Sequence, residues 1–327
     1  MPTISVIIPA YNVAPYIGET LRSVFAQTFA DYEVIIVNDG SPDTDELERA
    51  LAPFEQRVHY LKQENGGAGA ARNAGLSAAH GEFVAFLDGD DLWLPEFLAE
   101  QIKFVREQML DLACTDATLF DEAGDFKRTY MDALVAGTAP AGEVTFEGLI
   151  GDQQSLITSG VVAGRQAVIE AGSFDEGLRN SQDFDLWVRL ALSGARLAYQ
   201  RKALVRYRDH EGSLSGDDVN RVNRELLVYR KIRSQYDLTT GQRHDVDQAI
   251  RRVERESYLV LGKGHLGRRE FSQALKYFRQ ARAIESNWKL SVSCALLRSA
   301  PTLLRALNSL LTEGRRKRQG GILRNTP

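Results

Sequence analysis

Four short stretches of this chain gather residue types that can act on one ligand. Asp88-Gly89-Asp90-Asp91 sets two carboxylates two positions apart on a turn, with a glycine between them that lets the backbone fold tightly. Such a pair can converge on one hard cation, and Mg²⁺ or Mn²⁺ suits oxygen donors shared with a diphosphate. An Asp-x-Asp triplet also reads as a turn or a helix N-cap, where aspartate is common. Gly66-Gly67-Ala68-Gly69-Ala70-Ala71-Arg72 opens a helix with small residues, which brings backbone close to a ligand and Arg72 near a phosphate. A dinucleotide-binding fingerprint fits poorly, because Arg72 stands where the third small residue belongs and the turn follows the third strand. Pro9-Ala10-Tyr11-Asn12 and Asn38-Asp39-Gly40-Ser41-Pro42-Asp43 complete the set.

Each stretch follows, or lies close behind, an apolar run. Residues 4–9, 33–37, 58–62 and 83–87 are short and rich in β-branched or aromatic side chains, so they predict strands. Between the first two, Tyr16, Ile17, Leu21, Val24 and Phe25 recur at helical spacing behind Pro15. Strands alternating with helices predict an α/β fold with a parallel sheet covered on both faces, and such sheets bind ligands beyond the carboxyl ends of their strands. Past Asp91 the spacing predicts helices near 95–108, 145–150, 165–171 and 183–192, extended chain near 111–120 and at Arg128, and a strand-like stretch over 196–207. Beyond Gly216 the chain reads helical, with breaks near Gly241, Gly262 to Gly267 and Pro301.

Charge divides the chain at the same place. Residues 1–216 hold 17 Lys and Arg against 33 Asp and Glu, net −16, whereas residues 217–327 hold 23 against 11, net +12. Two functionally different parts are expected, and the acidic one is unsuited to nucleic acid. With 43% hydrophobic and 26% charged residues, the 327-residue chain is neither disordered nor fibrous. Two cysteines are too few for a disulfide framework or a thiolate cage. With no leader-like start and no apolar run of membrane-spanning length, a cytoplasmic location is the expectation.

The segments SVIIPAYN (5–12), VNDGSPD (37–43), NGGAGAARNAG (65–75) and FLDGDD (86–91) resemble, in order and spacing, an inverting glycosyltransferase of family 2 with the GT-A fold. The likeness covers residues 3 to about 216. It implies a Rossmann-like, mostly parallel sheet in a catalytic domain of residues 1–216, followed by an all-α region over 217–327. It implies a nucleotide site at Pro9, Tyr11, Asp39, Arg72 and Asp88, with Tyr11 stacking on the base and Asp39 accepting from the N3–H of a pyrimidine. Asp90 would be the direct ligand of a divalent cation, Mn²⁺ or Mg²⁺, with Asp91 beside it. Ser181-Gln182-Asp183-Phe184-Asp185-Leu186-Trp187 resembles the family's base motif, with Gln182 where Glu is often found. Displacement at an anomeric carbon needs a carboxylate on the face opposite the leaving diphosphate, the role expected of Asp183. An N-cap is its alternative reading. Arg208 and His210 fall in an Arg-x-His segment that resembles the end of many such domains, His210 toward the metal and Arg208 toward phosphate. Thr158-Ser159-Gly160 falls where a sugar pocket would lie and is too short to assign a role.

The resemblance thus implies a nucleotide-sugar donor, most simply a UDP-sugar, and a saccharide or lipid-linked acceptor in cell-surface glycan assembly. A sugar-nucleotide pyrophosphorylase, and a helical adaptor carrying a degenerate transferase domain, are the alternatives. In the C-terminal part Tyr258, Leu261, Gly262, Phe271, Ala274, Phe278 and Ala281 match the spacing of one tetratricopeptide repeat, a hairpin over about 255–287. The leucines of 301–311, followed by Arg315, Arg316, Lys317 and Arg318, suit weak peripheral contact with an anionic bilayer at the inner face of the cell membrane, or else simple packing.

Overall fold

In the computed structural model, which describes residues 1–134, 141–210 and 218–300, the run ISVIIPA forms strand β1 (Ile4–Ala10), buried except at Pro9. Such continuous burial belongs to a central strand covered on both faces. After it come α1 (Ala14–Phe25), β2 (Tyr32–Asp39), α2 (Thr44–Leu51), β3 (His59–Gln63), α3 (Ala68–Ala78) and β4 (Phe83–Phe86). β1 pairs in parallel with β2 on one side and β4 on the other, and β3 extends the sheet in parallel beyond β2. All three strand ends that carry the polar stretches therefore open on one rim.

The chain continues through β5 (Leu92–Trp93), α4 (Phe97–Gln108), β6 (Leu112–Asp121), β7 (Gly124–Thr129), α5 (Tyr130–Leu134) and β8 (Gly142–Val144). It ends this unit with α6 (Phe146–Ile150), β9 (Val161–Gly164), α7 (Arg165–Glu170), α8 (Gln182–Leu192) and β10 (Leu197–Arg208). The strand order is β3-β2-β1-β4-β9-β6-β10-β5, with β7 on β6 and β8 on β10. The sheet is mixed where alternation alone predicts a parallel one: β9 lies antiparallel between β4 and β6. Its four residues, Val-Val-Ala-Gly, are apolar on both faces and carry no sign of strand direction.

Helix α3 packs on β1 and β2. A Cβ at Gly75 would stand 2.4 Å from Cγ2 of Ile7, a fully buried side chain of β1, so this glycine sets how closely α3 lies on the sheet. Gly75→Ala must push the helix outward, and a loss of about 1–3 kcal/mol is expected from such overpacking. A lowered midpoint in urea unfolding with an unchanged slope checks it, and an unchanged midpoint would mean the helix yields freely.

The chain divides into two compact units, Met1–His210 and Glu211–Pro327. The second contains α9 (Asp218–Gln235), α10 (Thr240–Gly267), α11 (Phe271–Ile284) and α12 (Trp288–Ser299). Thr239 caps α10 in a reciprocal capping box with Gln242. The break expected over Gly262 to Gly267 falls at its far end: α10 runs through Gly262 and stops at Gly267, and a Cβ at Gly262 would lie 2.4 Å from the Phe278 ring. Gly262 is thus a site of close packing between α10 and α11. Leu266, Ala274, Phe278, Ala281, Leu290, Cys294 and Leu297 form the core there. No described helix is long and apolar enough to cross a membrane. The boundary near 216 and the 301–318 segment lie outside the described residues.

Candidate active site

The rim is built by hydrogen bonds between successive strand ends. After β1, exposed Tyr11 is followed by Asn12 in the left-handed region, φ 55°, which asparagine tolerates better than most residues. The Asn12 amide donates to Ser41 Oγ at 2.7 Å and the Ala14 amide to Asp43 Oδ2 at 2.9 Å, so the loops after β1 and β2 hold each other. Pro9 is the partly exposed residue of its strand.

Asp39, at the end of β2, is buried, and its carboxylate organises the Gly-rich turn. Oδ1 accepts from Gln63 Nε2 and the Gly66 amide and Oδ2 from the Gly67 amide, each at 2.8 Å. Gly67 has φ +89° at the N-cap of α3, a conformation strained for any residue with a Cβ. Two carboxylate oxygens offer about four lone-pair sites, so one acceptor position on Oδ2 remains for a ligand donor.

One turn of α3 later, buried Arg72 reaches the end of β4, with Nη2 2.5 Å from Asp88 Oδ1 and its Nε buried without a partner among the described residues. Its guanidinium also lies 5.5 Å from the Phe174 ring centroid. Asp88 and Asp90 are half-buried, whereas Asp91 is 1% exposed. Burial, then the neighbouring Asp88 charge, raises the Asp90 carboxyl above its ordinary range. For Asp91 burial does the same more strongly, followed by the charges of Asp90 and Asp88. Burial and mutual repulsion thus disfavour the ionised forms of these two carboxyls, a cost that a cation at the turn would relieve.

Asp91 faces inward: Oδ2 accepts from Ser159 Oγ at 2.5 Å and Oδ1 from the Arg208 amide at 2.9 Å. It anchors the turn to its surroundings. His210 meets Asp90, with Nε2 3.0 Å from Oδ2, and its ring lies 4.9 Å from that of Tyr16. Arg208, expected toward phosphate, donates from Nε to the Asp90 carbonyl at 2.8 Å and from Nη2 to Glu19 at 2.7 Å, sandwiched by Tyr16 and Phe120. The carboxylate oxygens of Asp88 and Asp90 are of the donor type that suits Mg²⁺ or Mn²⁺. Among the described residues no three His, Cys, Asp or Glu side chains converge as a ready-made cage. The remaining ligands would then come from diphosphate and water, the usual pattern for these ions.

Asp183 lies in the first turn of α8, one residue past the helix start. The N-cap position belongs to Ser181, φ 56°, which makes no side-chain cap. Asp183 Oδ2 accepts from Thr158 Oγ1 and Oδ1 from the Phe184 amide, both at 2.8 Å. Trp187 of the same helix packs edge-on against Phe174, which meets Phe86 of β4 at 90°. Helix α8 is thereby fixed to the strand that delivers Asp88. Gln182 is buried, with its Oε1 lacking a partner among the described residues, and its Cγ would lie 3.3 Å from a Cβ at Gly69. Asp185 is buried in an ion pair with Arg189, 2.9 Å, and is structural.

Sequence reading left the Thr158–Gly160 turn without a role. In the structure it joins the two halves of the site, since Thr158 holds Asp183 while Ser159 Oγ accepts from the Asp88 amide at 3.1 Å and donates to Asp91. Cys114, by contrast, is buried and free, with its thiol pushed up by burial, and offers no nucleophile.

Residues 5–176 match the family model described as Glycosyl transferase family 2. The chain belongs to this family. TuaG of Bacillus subtilis, named for teichuronic acid biosynthesis, is 31% identical over 234 residues, covering 71% of this chain and 88% of TuaG. An uncharacterized glycosyltransferase of Rickettsia felis is 31% identical over 219 residues, 64% of this chain and 34% of that protein. The match thus spans about a third of the length of several such relatives. Among solved structures, S. aureus TarS 1-349 in complex with UDP-GlcNAc superposes with TM-score 0.61 at 20% identity, covering 95% of this chain and 92% of TarS. The mannosyltransferase PcManGT from Pyrobaculum calidifontis, in complex with GDP-Man and Mn²⁺, gives 0.62 at 16%, covering 94% and 87%. The family 2 chain has the GT-A type of mixed α/β sheet, followed by C-terminal helices.

Proposed function

We propose that this glycosyltransferase moves a sugar from a UDP-sugar to an acceptor hydroxyl with inversion at the anomeric carbon, in a divalent-cation-dependent reaction of cell-surface glycan assembly. The observation that carries this reading is the single turn that ties the Asp183 carboxylate to the Asp88–Asp91 cluster, setting a base beside a diphosphate site. The remaining acceptor position on Asp39 favours uracil, which presents one N3–H, over guanine, which presents adjacent N1–H and N2–H donors. Exposed Tyr11 offers its ring face to the base, and Pro9 borders the same rim.

Asp183 takes the proton of the acceptor hydroxyl as its oxygen attacks the anomeric carbon. The bond to the diphosphate oxygen breaks on the opposite face, and the configuration inverts. Asp90, with Asp88 and His210, would hold a cation whose charge stabilises the departing diphosphate. Arg72 sets the Asp88 carboxylate from behind. The helical unit adds a packed hairpin of tetratricopeptide-like spacing, a module for the acceptor or a partner rather than for the chemistry.

A panel of UDP-, dTDP- and GDP-sugars, with Mn²⁺ or with EDTA, tests the assignment through nucleotide release. Turnover of a UDP-sugar that EDTA abolishes is expected, and the product of an α-linked donor is expected to be β-configured. Metal-independent turnover, preference for a GDP-sugar or retention of configuration would each overturn the corresponding part.

A further inference from the structure

We infer that Thr158 is a positioning residue for the base, and that the Thr158–Gly160 turn sets the spacing between Asp183 and the donor's diphosphate. The inference rests on the reading of Asp183 as general base. A carboxylate is an effective base only when one oxygen is aimed at the proton it removes, and a misplacement of about 1 Å can cost roughly 100-fold. Asp183 is only half-buried, so packing alone does not aim it. Two hydrogen bonds do: the Phe184 amide holds Oδ1 from within the helix, and the Thr158 hydroxyl holds Oδ2 from outside it, both at 2.8 Å.

The turn that presents this hydroxyl is held on every side. Thr158 is 6% exposed and Ser159 1%. The Ser159 carbonyl accepts from Trp93 Nε1 at 2.7 Å and the Gly160 carbonyl from Gln101 Nε2 at 2.6 Å. A Cβ at Gly160 would stand 2.8 Å from the Thr115 carbonyl oxygen, so strand β6 closes on it from behind. Ser159 spends its hydroxyl on both members of the acidic turn, accepting from the Asp88 amide and donating to Asp91. Adjacent residues of one rigid turn therefore grip the base and the donor-side carboxylates. A hydroxyl serving stability alone would have no need of this pairing.

Thr158→Val keeps the β-branched shape and deletes the donor, whereas Thr158→Ser keeps the donor. With the UDP-sugar that the unmodified protein turns over, Thr158→Val is expected to lower kcat about 10- to 100-fold, with KM for the donor and the affinity for UDP with Mn²⁺ within about twofold. Thr158→Ser is expected to restore most of the loss. In an Asp183→Asn background, Thr158→Val should cost no further turnover, because the group it aims is gone. A multiplicative loss in that background, or a matching loss in Thr158→Ser, would overturn the positioning role and leave Thr158 as packing. Full kcat in Asp183→Asn would instead remove the base reading itself. Crystal structures of the two Thr158 variants add a readout independent of turnover: the Asp183 carboxylate should leave its present orientation in the valine variant and keep it in the serine variant. An unmoved carboxylate in both overturns the inference.

Discussion

Asp183→Asn should bind UDP with Mn²⁺ as tightly as the unmodified protein yet lose turnover by a factor on the order of 100 or more. The amide has the carboxylate's shape, its oxygen can still accept from the Phe184 amide, and the Thr158 hydroxyl can turn to accept from its NH₂ group. Ser181 at the N-cap makes no side-chain cap, and the one first-turn amide that Asp183 holds, that of Phe184, keeps an oxygen acceptor in the asparagine. Only the capacity to take a proton disappears. Nucleotide release at saturating donor, with UDP titration calorimetry and an unfolding curve as controls, separates the effects. A kcat within a few-fold of the unmodified value, in a folded variant, would sink the base assignment.

The rim was readable from sequence because a doubly covered sheet makes its strands apolar throughout and pushes polar residues to their ends. Asp39, Asp88, Asp90 and Tyr11 stand at the ends of β1, β2 and β4 for that reason. Three features were not readable, each for want of a local signal. The role of Thr158 depends on a partner 25 residues away and that of Ser159 on one 68 residues away, and neither spacing leaves a pattern in the chain. The helix break expected over Gly262 to Gly267 comes only at Gly267; Gly262 itself stays helical because the Phe278 ring occupies the space its side chain would take, a packing role that glycine's low helix propensity does not announce. Arg208, expected toward phosphate, also pairs with Glu19, 189 residues away, and no local pattern announces that partner.

Asp91 shows the same limit from the other side. Three acidic residues in four positions look alike as a string, but the fold gives them different work. Asp88 meets Arg72, Asp90 meets His210, and Asp91 turns into the interior against Ser159 and the Arg208 amide. Burial, not residue type, makes Asp91 a structural peg and leaves the other two at the rim.

Asp90→Ala should abolish the cation's contribution to nucleotide binding while leaving the empty protein as stable as before, or more so. The sign follows from the charges. The Asp90 carboxyl is raised by burial and by Asp88, so without a cation its charge is held at a cost, and removing it also relieves Asp91. Its contact with His210 offsets part of that cost. When a cation binds, the balance inverts, since the same carboxylate becomes its ligand. A ligand at 100 times its Kd stabilises the fold by about 2.7 kcal/mol, and this increment is what the variant should lose. Two measurements check it: calorimetric titration of UDP with and without Mn²⁺, and the unfolding midpoint at increasing Mn²⁺ in the presence of UDP. In the unmodified protein the midpoint should climb with the metal, and in Asp90→Ala it should stay flat from an equal or higher start. A variant whose midpoint still climbs, with Mn²⁺-dependent UDP affinity intact, would show that Asp90 holds no metal and that its contact with His210 is structural.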